Sequence, residues 1–377
     1  MSLDIALSLI LTLLFLSYLG LHLFALKGIK VLVARQQETS EDKPPISVIV
    51  AARNEEAMIG KCLQSLVQQD YPKNAYEVIV VDDRSDDGTA AIVKNYALSY
   101  PFVSLAPITH LDSDLPPKKN ALHEGIRRSG FDILAFTDAD CVVPPQWLAS
   151  IAREFLPDTG VVAGYSPIEQ QFPASMKKRW GNFFVRYLEV KNSFGAAAGI
   201  GLRRAYLCTG RNLSYRKSIF TQVDGFEKIK NSISGDDDLF LQLVQKETQW
   251  NIRYMLSPQS YVETAPPASL RAFINQRKRH FSAGKFYPGR MKVVFATVHA
   301  FNALSFLTIF VSPAIGAAAV AAKLLVDGWT ISRGAALFGD RKLVRSLVPL
   351  EIASVLYNSF IGPLGVFGTF VWKESKT

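Results

Sequence analysis

Cysteine is scarce in this chain: Cys62, Cys141 and Cys208 are its three copies, far apart and without the paired spacing of a zinc site. An odd, scattered set excludes a disulfide framework and suits small buried thiols in a reducing compartment. No Gly-x-Gly-x-x-Gly follows the first apolar run of the charged middle, which removes the usual fingerprint of a dinucleotide-binding dehydrogenase. Internal repeats and low-complexity tracts are absent. Charge is missing altogether from Ile5 to Ala25, a stretch dominated by Leu, Ile and Phe. About 20 such residues match the hydrocarbon thickness of a bilayer. Acid is missing from Ala268 to Lys292, which holds seven Lys or Arg.

What is present is arranged around those gaps. Hydrophobic residues make up 49% of the chain although its middle is charged, so the apolar excess lies in blocks at the two ends. Asp4 precedes the first block and Lys27, Lys30 and Arg35 follow it, which reads as a retained signal anchor with the next domain in the cytosol. The net charge of +9 raises nucleic acid as a partner. Much of that charge sits beside the apolar blocks, where membrane lipids with anionic headgroups are the better fit and nucleic acid is not expected. The expected product is an integral membrane protein, in the plasma or inner membrane if bacterial.

Four regions follow: an anchor over 1–35, an α/β domain over 44–265, a basic interfacial segment over 266–292, and a C-terminal transmembrane region over 293–372. The polar stretch 36–45, ending in two prolines, marks the first boundary. Within the α/β domain, apolar runs at Ile46–Ala51, Val78–Val81 and Ile133–Phe136 alternate with helical patterns at Glu55–Gln69, Gly88–Leu98, Lys118–Arg128 and Pro144–Phe155. Such alternation predicts a mostly parallel sheet covered on both faces. Met176–Phe194 reads as an amphipathic helix, either a solvated surface helix or one facing membrane or acceptor. The C-terminal region offers Val293–Val311, a short run at Ala314–Val326 and a Gly- and Pro-containing stretch at Leu347–Trp372, for two to three further membrane segments.

Three acidic clusters carry the chemistry. Asp82, Asp83, Asp86 and Asp87 follow the second strand, and in open α/β sheets ligands bind beyond the carboxyl ends of strands. Asp138 and Asp140 follow the next one, and an Asp-x-Asp can turn two hard oxygen ligands toward Mg²⁺ or Mn²⁺ and its diphosphate. Asp236, Asp237 and Asp238 precede a helical run, so like charges crowd together and a raised pKa suits a general base. Each cluster has a plainer reading as acids decorating a helix N-terminus. A fourth cluster, Gln276 to Phe281, is basic; it reads as an interfacial helix or as an Arg clamp on a departing phosphate.

Taken in order, these motifs resemble the family 2 glycosyltransferases of GT-A fold over nearly the whole cytosolic region. The stretch Val50-Ala51-Ala52-Arg53-Asn54-Glu55-Glu56 is similar to the family's first-strand signature, which places Ala52, Arg53 and Glu55 near the nucleotide. The resemblance implies that Asp83, with Asp82 beside it, binds uridine, that Lys118 contacts the nucleotide, and that Asp138 and Asp140 bind the metal. Asp236-Asp237 matches the pair whose second member is the catalytic base. Gly210 and Asn212 fall in a loop similar to the one joining the donor and acceptor halves. Gln276, Arg279 and His280 resemble the Gln-x-x-Arg-Trp motif at the diphosphate and acceptor, with His280 in place of Trp. The implied activity is metal-dependent, inverting transfer from a nucleotide sugar, of uridine by the resemblance, to a lipid-linked or saccharide hydroxyl. The alternatives are a processive polysaccharide synthase, which the missing Trp disfavours, and a non-catalytic membrane-anchored nucleotide-binding protein.

Overall fold

The computed structural model describes residues 2–108, 114–169 and 176–367, together with 371–372 and 375–376. Its helices and strands run in the order α1 (Leu3–Arg35), β1 (Ile46–Ala52), α2 (Ile59–Val67), β2 (Tyr76–Asp83), α3 (Thr89–Ser99), β3 (Val103–Ile108), α4 (Pro117–Arg128), β4 (Ile133–Asp138), β5 (Cys141–Val142) and α5 (Trp147–Glu154). There follow β6 (Thr159–Gly164), α6 (Met176–Gly201), β7 (Leu213–Arg216), α7 (Lys217–Gln222), α8 (Asp238–Glu247), β8 (Asn251–Met255), β9 (Glu263–Thr264), α9 (Leu270–Ala283), α10 (Gly289–Val311), α11 (Pro313–Leu337) and α12 (Leu347–Phe367). The chain divides into two compact units, Lys30–Gln170 with Gly195–Pro266, and Met1–Ile29 with Gln171–Phe194 and Pro267–Thr377.

The first unit is an α/β domain. Seven strands form one sheet in the order β3-β2-β1-β4-β7-β6-β8. The β3-β2-β1-β4 half is parallel, β7 runs antiparallel to both its neighbours, and β6 pairs with β8 in parallel. Its inner strands are continuous apolar runs rather than alternating ones, with Ile46, Val48, Ile49 and Val50 all buried, as a sheet covered on both faces requires. Helix α2 shows the complementary pattern, burying Ile59, Cys62, Leu63, Leu66 and Val67 at helical spacing. It starts at Ile59 rather than Glu55, because the Glu55 and Glu56 amides donate to Thr89 Oγ1 and Asp87 Oδ2 of the next loop. The small pair β5 and β9 is antiparallel and lies next to the end of β4 in sequence.

In the second unit, α1, α10 and α11 are each long and apolar enough to cross a membrane. The short run expected at Ala314–Val326 is corrected: α11 continues to Leu337, through Asp327 and Arg333. Asp327 is tolerated there because it is paired. Lys323 reaches both Asp327 and Glu351 of α12, the latter at 2.8 Å, and Tyr18 of α1 donates to Asp327. Lys191 and Tyr187 of α6 also meet Glu351, Lys191 at 2.6 Å. Two further charged residues of α6 are paired within this unit, Arg186 with Asp340 at 2.5 Å and Glu189 with Arg277 of α9 at 2.9 Å. Gly368, part of the expected last membrane stretch, lies outside the described residues.

Candidate active site

Parallel register brings the acidic clusters to one edge of the sheet. Ala52 pairs with Asp82 on one side of β1, and Ala51 pairs with Asp138 on the other. With neighbouring strands about 4.8 Å apart, the ends of β2 and β4 stand roughly 10 Å from one another across β1, a span suited to a nucleoside and its diphosphate. The loops after β1 and β2 are laced together: Asn54 N donates to Ser85 Oγ at 3.0 Å and Asn54 Oδ1 accepts from Asp86 N at 3.0 Å. Both Asn54 and Arg84 take a left-handed conformation, with φ of 53° and 57°. That turn folds the Arg84 guanidinium onto Asp83 Oδ1 at 2.9 Å, while Arg53 stands 3.8 Å from Asp83 Oδ2. Asp82 Oδ1 and Asp83 Oδ2 are buried and make no hydrogen bond among the described residues. Buried carboxylate oxygens of that kind call for a donor from a ligand.

Across the cleft the second and third clusters meet. The Lys118 ammonium lies 3.2 Å from Asp138 Oδ1 and 3.2 Å from Asp236 Oδ2. Lys118, Thr137, Asp138, Gly210 and Asp236 line one cavity together with Leu122 and Phe136. Asp237 caps α8 and is partly buried; its Oδ1 accepts from Asp238 N at 2.8 Å and its Oδ2 from Gly210 N at 2.9 Å. Burial first and the charge of Asp236 second push the Asp237 carboxyl above its usual range, against Lys118 and those two amides. Both sequence readings of the acidic run therefore hold at once: the residue is a cap and a carboxylate with a raised pKa.

Asp138, Asp140 and Cys141 bring their ligand atoms within 4.8 Å of one another. Burial, then the charges of Asp138 and Asp140, push the Cys141 thiol well up, so it stays protonated and donates to Asp140 Oδ1 at 3.5 Å. The carboxylates of Asp138 and Asp140 supply the oxygen donors of this set, which fit a hard divalent ion such as Mg²⁺ or Mn²⁺. Asp140 is itself raised, by burial and then by Asp138, with Arg211 acting the other way. A bound cation is what would relieve two adjacent carboxylates of this kind.

Asn212, expected at the diphosphate and acceptor, is placed in the core. It is fully buried, its Nδ2 donates to the carbonyls of Tyr165 and Ser260 at 2.8 Å each, and its Oδ1 accepts from Trp147 Nε1 at 3.0 Å. With the amide used inside the core, the side chain holds the turn that presents Gly210. Gln276, Arg279 and His280 lie on α9 in the other unit, one helical turn apart and so on a shared face, with His280 exposed. Two residues went unassigned in the sequence. Arg84 meets Asp83 as described, and Lys119, adjacent to Lys118, is buried beneath the third cluster. The signal for Lys119 was a pair of lysines in the first turn of a helix, where the dipole disfavours cations.

Residues 47–223 match the family described as Glycosyl transferase family 2. The matched stretch resembles a glycosyltransferase domain of that family and takes in most of the strands of the large sheet. The chain is 38% identical over 105 residues to the glycosyltransferase AglE of Haloferax volcanii, covering 28% of this chain and 33% of that protein. It is 37% identical over 116 residues to a beta-monoglucosyldiacylglycerol synthase of Synechocystis, covering 31% of this chain and 24% of the relative. The match thus spans a third or less of the length of these curated relatives. Among solved structures, the mannosyltransferase of Pyrobaculum calidifontis in complex with GDP-Man and Mn²⁺ superposes with a TM-score of 0.51 at 21% identity, over 94% of this chain and 99% of that one. At that identity the likeness is one of fold, and it agrees with the GT-A type of sheet described above.

Proposed function

We propose that this protein is an integral-membrane glycosyltransferase that moves a sugar from a nucleoside diphosphate sugar, with uridine as the base, to the hydroxyl of a lipid-linked or saccharide acceptor. The observation that carries the reading is the bridge of Lys118 between Asp138 on the metal side and Asp236 on the base side. One cation there links the place where a diphosphate leaves to the place where a hydroxyl loses its proton.

In this reading Asp82 and Asp83 receive the nucleoside through the oxygens that take no hydrogen bond from the described residues, with Ala52 at the end of β1 and Arg53 and Glu55 of the following loop beside them. Asp138 and Asp140 hold a divalent cation, which supplies charge stabilisation to the departing diphosphate. Lys118 adds positive charge at the same place. Asp237 takes the acceptor's proton as the acceptor oxygen bonds to the anomeric carbon and the bond to the diphosphate oxygen breaks. Base assistance of this kind contributes about 10²- to 10⁴-fold. Gln276, Arg279 and His280 are assigned to diphosphate and acceptor on the motif resemblance. The lipid acceptor is supported by a relative whose name gives a glucosylated diacylglycerol as product, and by three apolar helices of membrane-spanning length. Lys27, Lys30 and Arg35, all in the C-terminal part of α1, support a cytosolic catalytic unit.

The test is a screen of radiolabelled nucleotide sugars with Mg²⁺ or Mn²⁺ and native membranes, followed by tracing the label. Label in a lipid or short saccharide fraction, one sugar per acceptor, is the expected result. Long products from the purified chain would favour a processive synthase, and no transfer from any donor would leave a binding protein.

A further inference from the structure

We propose that Lys119 is a positioning residue that fixes the loop presenting Asp236 and Asp237, and not a second contact to the nucleotide; the proposal rests on reading Asp237 as the base. The Lys119 side chain has no exposed surface, so it cannot reach a ligand in the cleft. Its ammonium donates to the carbonyl oxygens of Ser232 and Ser234, the second at 2.9 Å. Those carbonyls belong to the residues that lead directly into Gly235, Asp236 and Asp237.

The loop needs such a hold. Gly235 has φ +84°, a conformation L side chains rarely adopt, and a Cβ there would lie 2.5 Å from the Leu239 side chain. Upstream of that turn the backbone is tied by Lys119. Downstream, Asp237 is tied by the amides of Asp238 and Gly210 at 2.8 and 2.9 Å. Three consecutive carboxylates repel one another, and a buried ammonium beneath them offsets that repulsion. Burial pushes the Lys119 ammonium below its usual range while Asp236, Asp237 and Asp238 pull it back up. The first turn of α4 therefore reads the loop twice: Lys118 holds the Asp236 side chain at 3.2 Å, and Lys119 holds the backbone that delivers it.

Replacing Lys119 by Met removes both donors at similar size and leaves two buried carbonyls without partners. A displacement of about 1 Å in a reacting group can cost about 10²-fold in rate. In the full-length protein, Lys119→Met is expected to lower kcat by about that factor while the KM for the donor and the Kd for nucleoside diphosphate stay at wild-type values. Hydrogen exchange should rise at the amides of residues 234–238 and stay unchanged at residues 53–56. Lys119→Arg, which keeps charge and donors, should recover part of kcat. Gly235→Ala perturbs the same turn with Lys119 intact and should give the same kcat-selective loss, which keeps the proposal open to test if Lys119→Met fails to fold. Unchanged exchange in the loop, or equal losses of kcat and nucleotide binding, would overturn the assignment. If the wild-type protein transfers no sugar at all, the glycosyltransferase reading fails, and the exchange measurement still decides the role of Lys119.

Discussion

The Lys118 ammonium lies 3.2 Å from Asp236 Oδ2 and reaches Asp138 Oδ1 over the same distance. The side chain stands in the first turn of α4, where the helix dipole works against a cation, so the carboxylates are what make the position favourable. Removing the charge takes away the ammonium that Asp138 and Asp236 share at one cavity. Lys118→Met is therefore expected to lower transfer by about 10²-fold, the usual cost of losing one group that stabilises developing charge. Isothermal titration should also show weaker binding of the nucleoside diphosphate, which separates Lys118 from its neighbour Lys119.

Asp237 sets the acid side of the pH dependence. Its carboxyl is raised by burial and by Asp236, and only the ionised form can take a proton. Activity should fall as pH drops through that raised value, above the pH at which an ordinary aspartate would protonate. Stability runs the opposite way: a carboxyl with a raised folded pKa contributes most below its unfolded value, and this contribution is lost as pH rises through the folded one. Asp237→Asn should abolish transfer and preserve nucleoside diphosphate binding. Retained turnover in that variant would remove Asp237 from the mechanism.

Much of this site was legible in the sequence because local pattern and topology agree there. Continuous apolar runs end in acids, and a parallel sheet gathers the ends of β1, β2 and β4 at one edge. What was not legible depends on partners distant in the chain. Asn212 reads as a polar loop residue until Trp147, Tyr165 and Ser260 are seen to consume its amide. Asp327 reads as the end of an apolar run until Lys323 and Tyr18 are seen beside it. Lys119 and Lys118 are indistinguishable as letters, and only burial separates a buried brace from a cleft-lining cation.

The metal reading makes a selective prediction. Asp138→Asn and Asp140→Asn should each abolish metal-dependent transfer, and EDTA should do the same to the wild-type protein, with Mg²⁺ or Mn²⁺ restoring it. Cys141→Ser should keep its response to both ions, because the thiol donates to Asp140 Oδ1 and a hydroxyl can do the same. Transfer that persists in EDTA would remove the cation from the reaction.

Lys323 offers a test of how the apolar unit is assembled. It meets Asp327 one turn along α11 and Glu351 of α12 at 2.8 Å, and Tyr18 and His22 of α1 converge on the same Asp327, His22 at 3.6 Å. A buried ion pair gives little net stability over a well-packed apolar substitute, yet removing one partner strands a charge at a cost of about 3 to 5 kcal/mol. Ionisable groups inside a membrane span pair with one another for the same reason. Lys323→Met should therefore reduce accumulation in membranes and lower the melting temperature in detergent. Adding Asp327→Asn should recover part of the loss, since Asp327 is then neutral while Glu351 keeps its pair with Lys191. A double variant no better than the single one would show that Lys323 acts through packing and not through its charge.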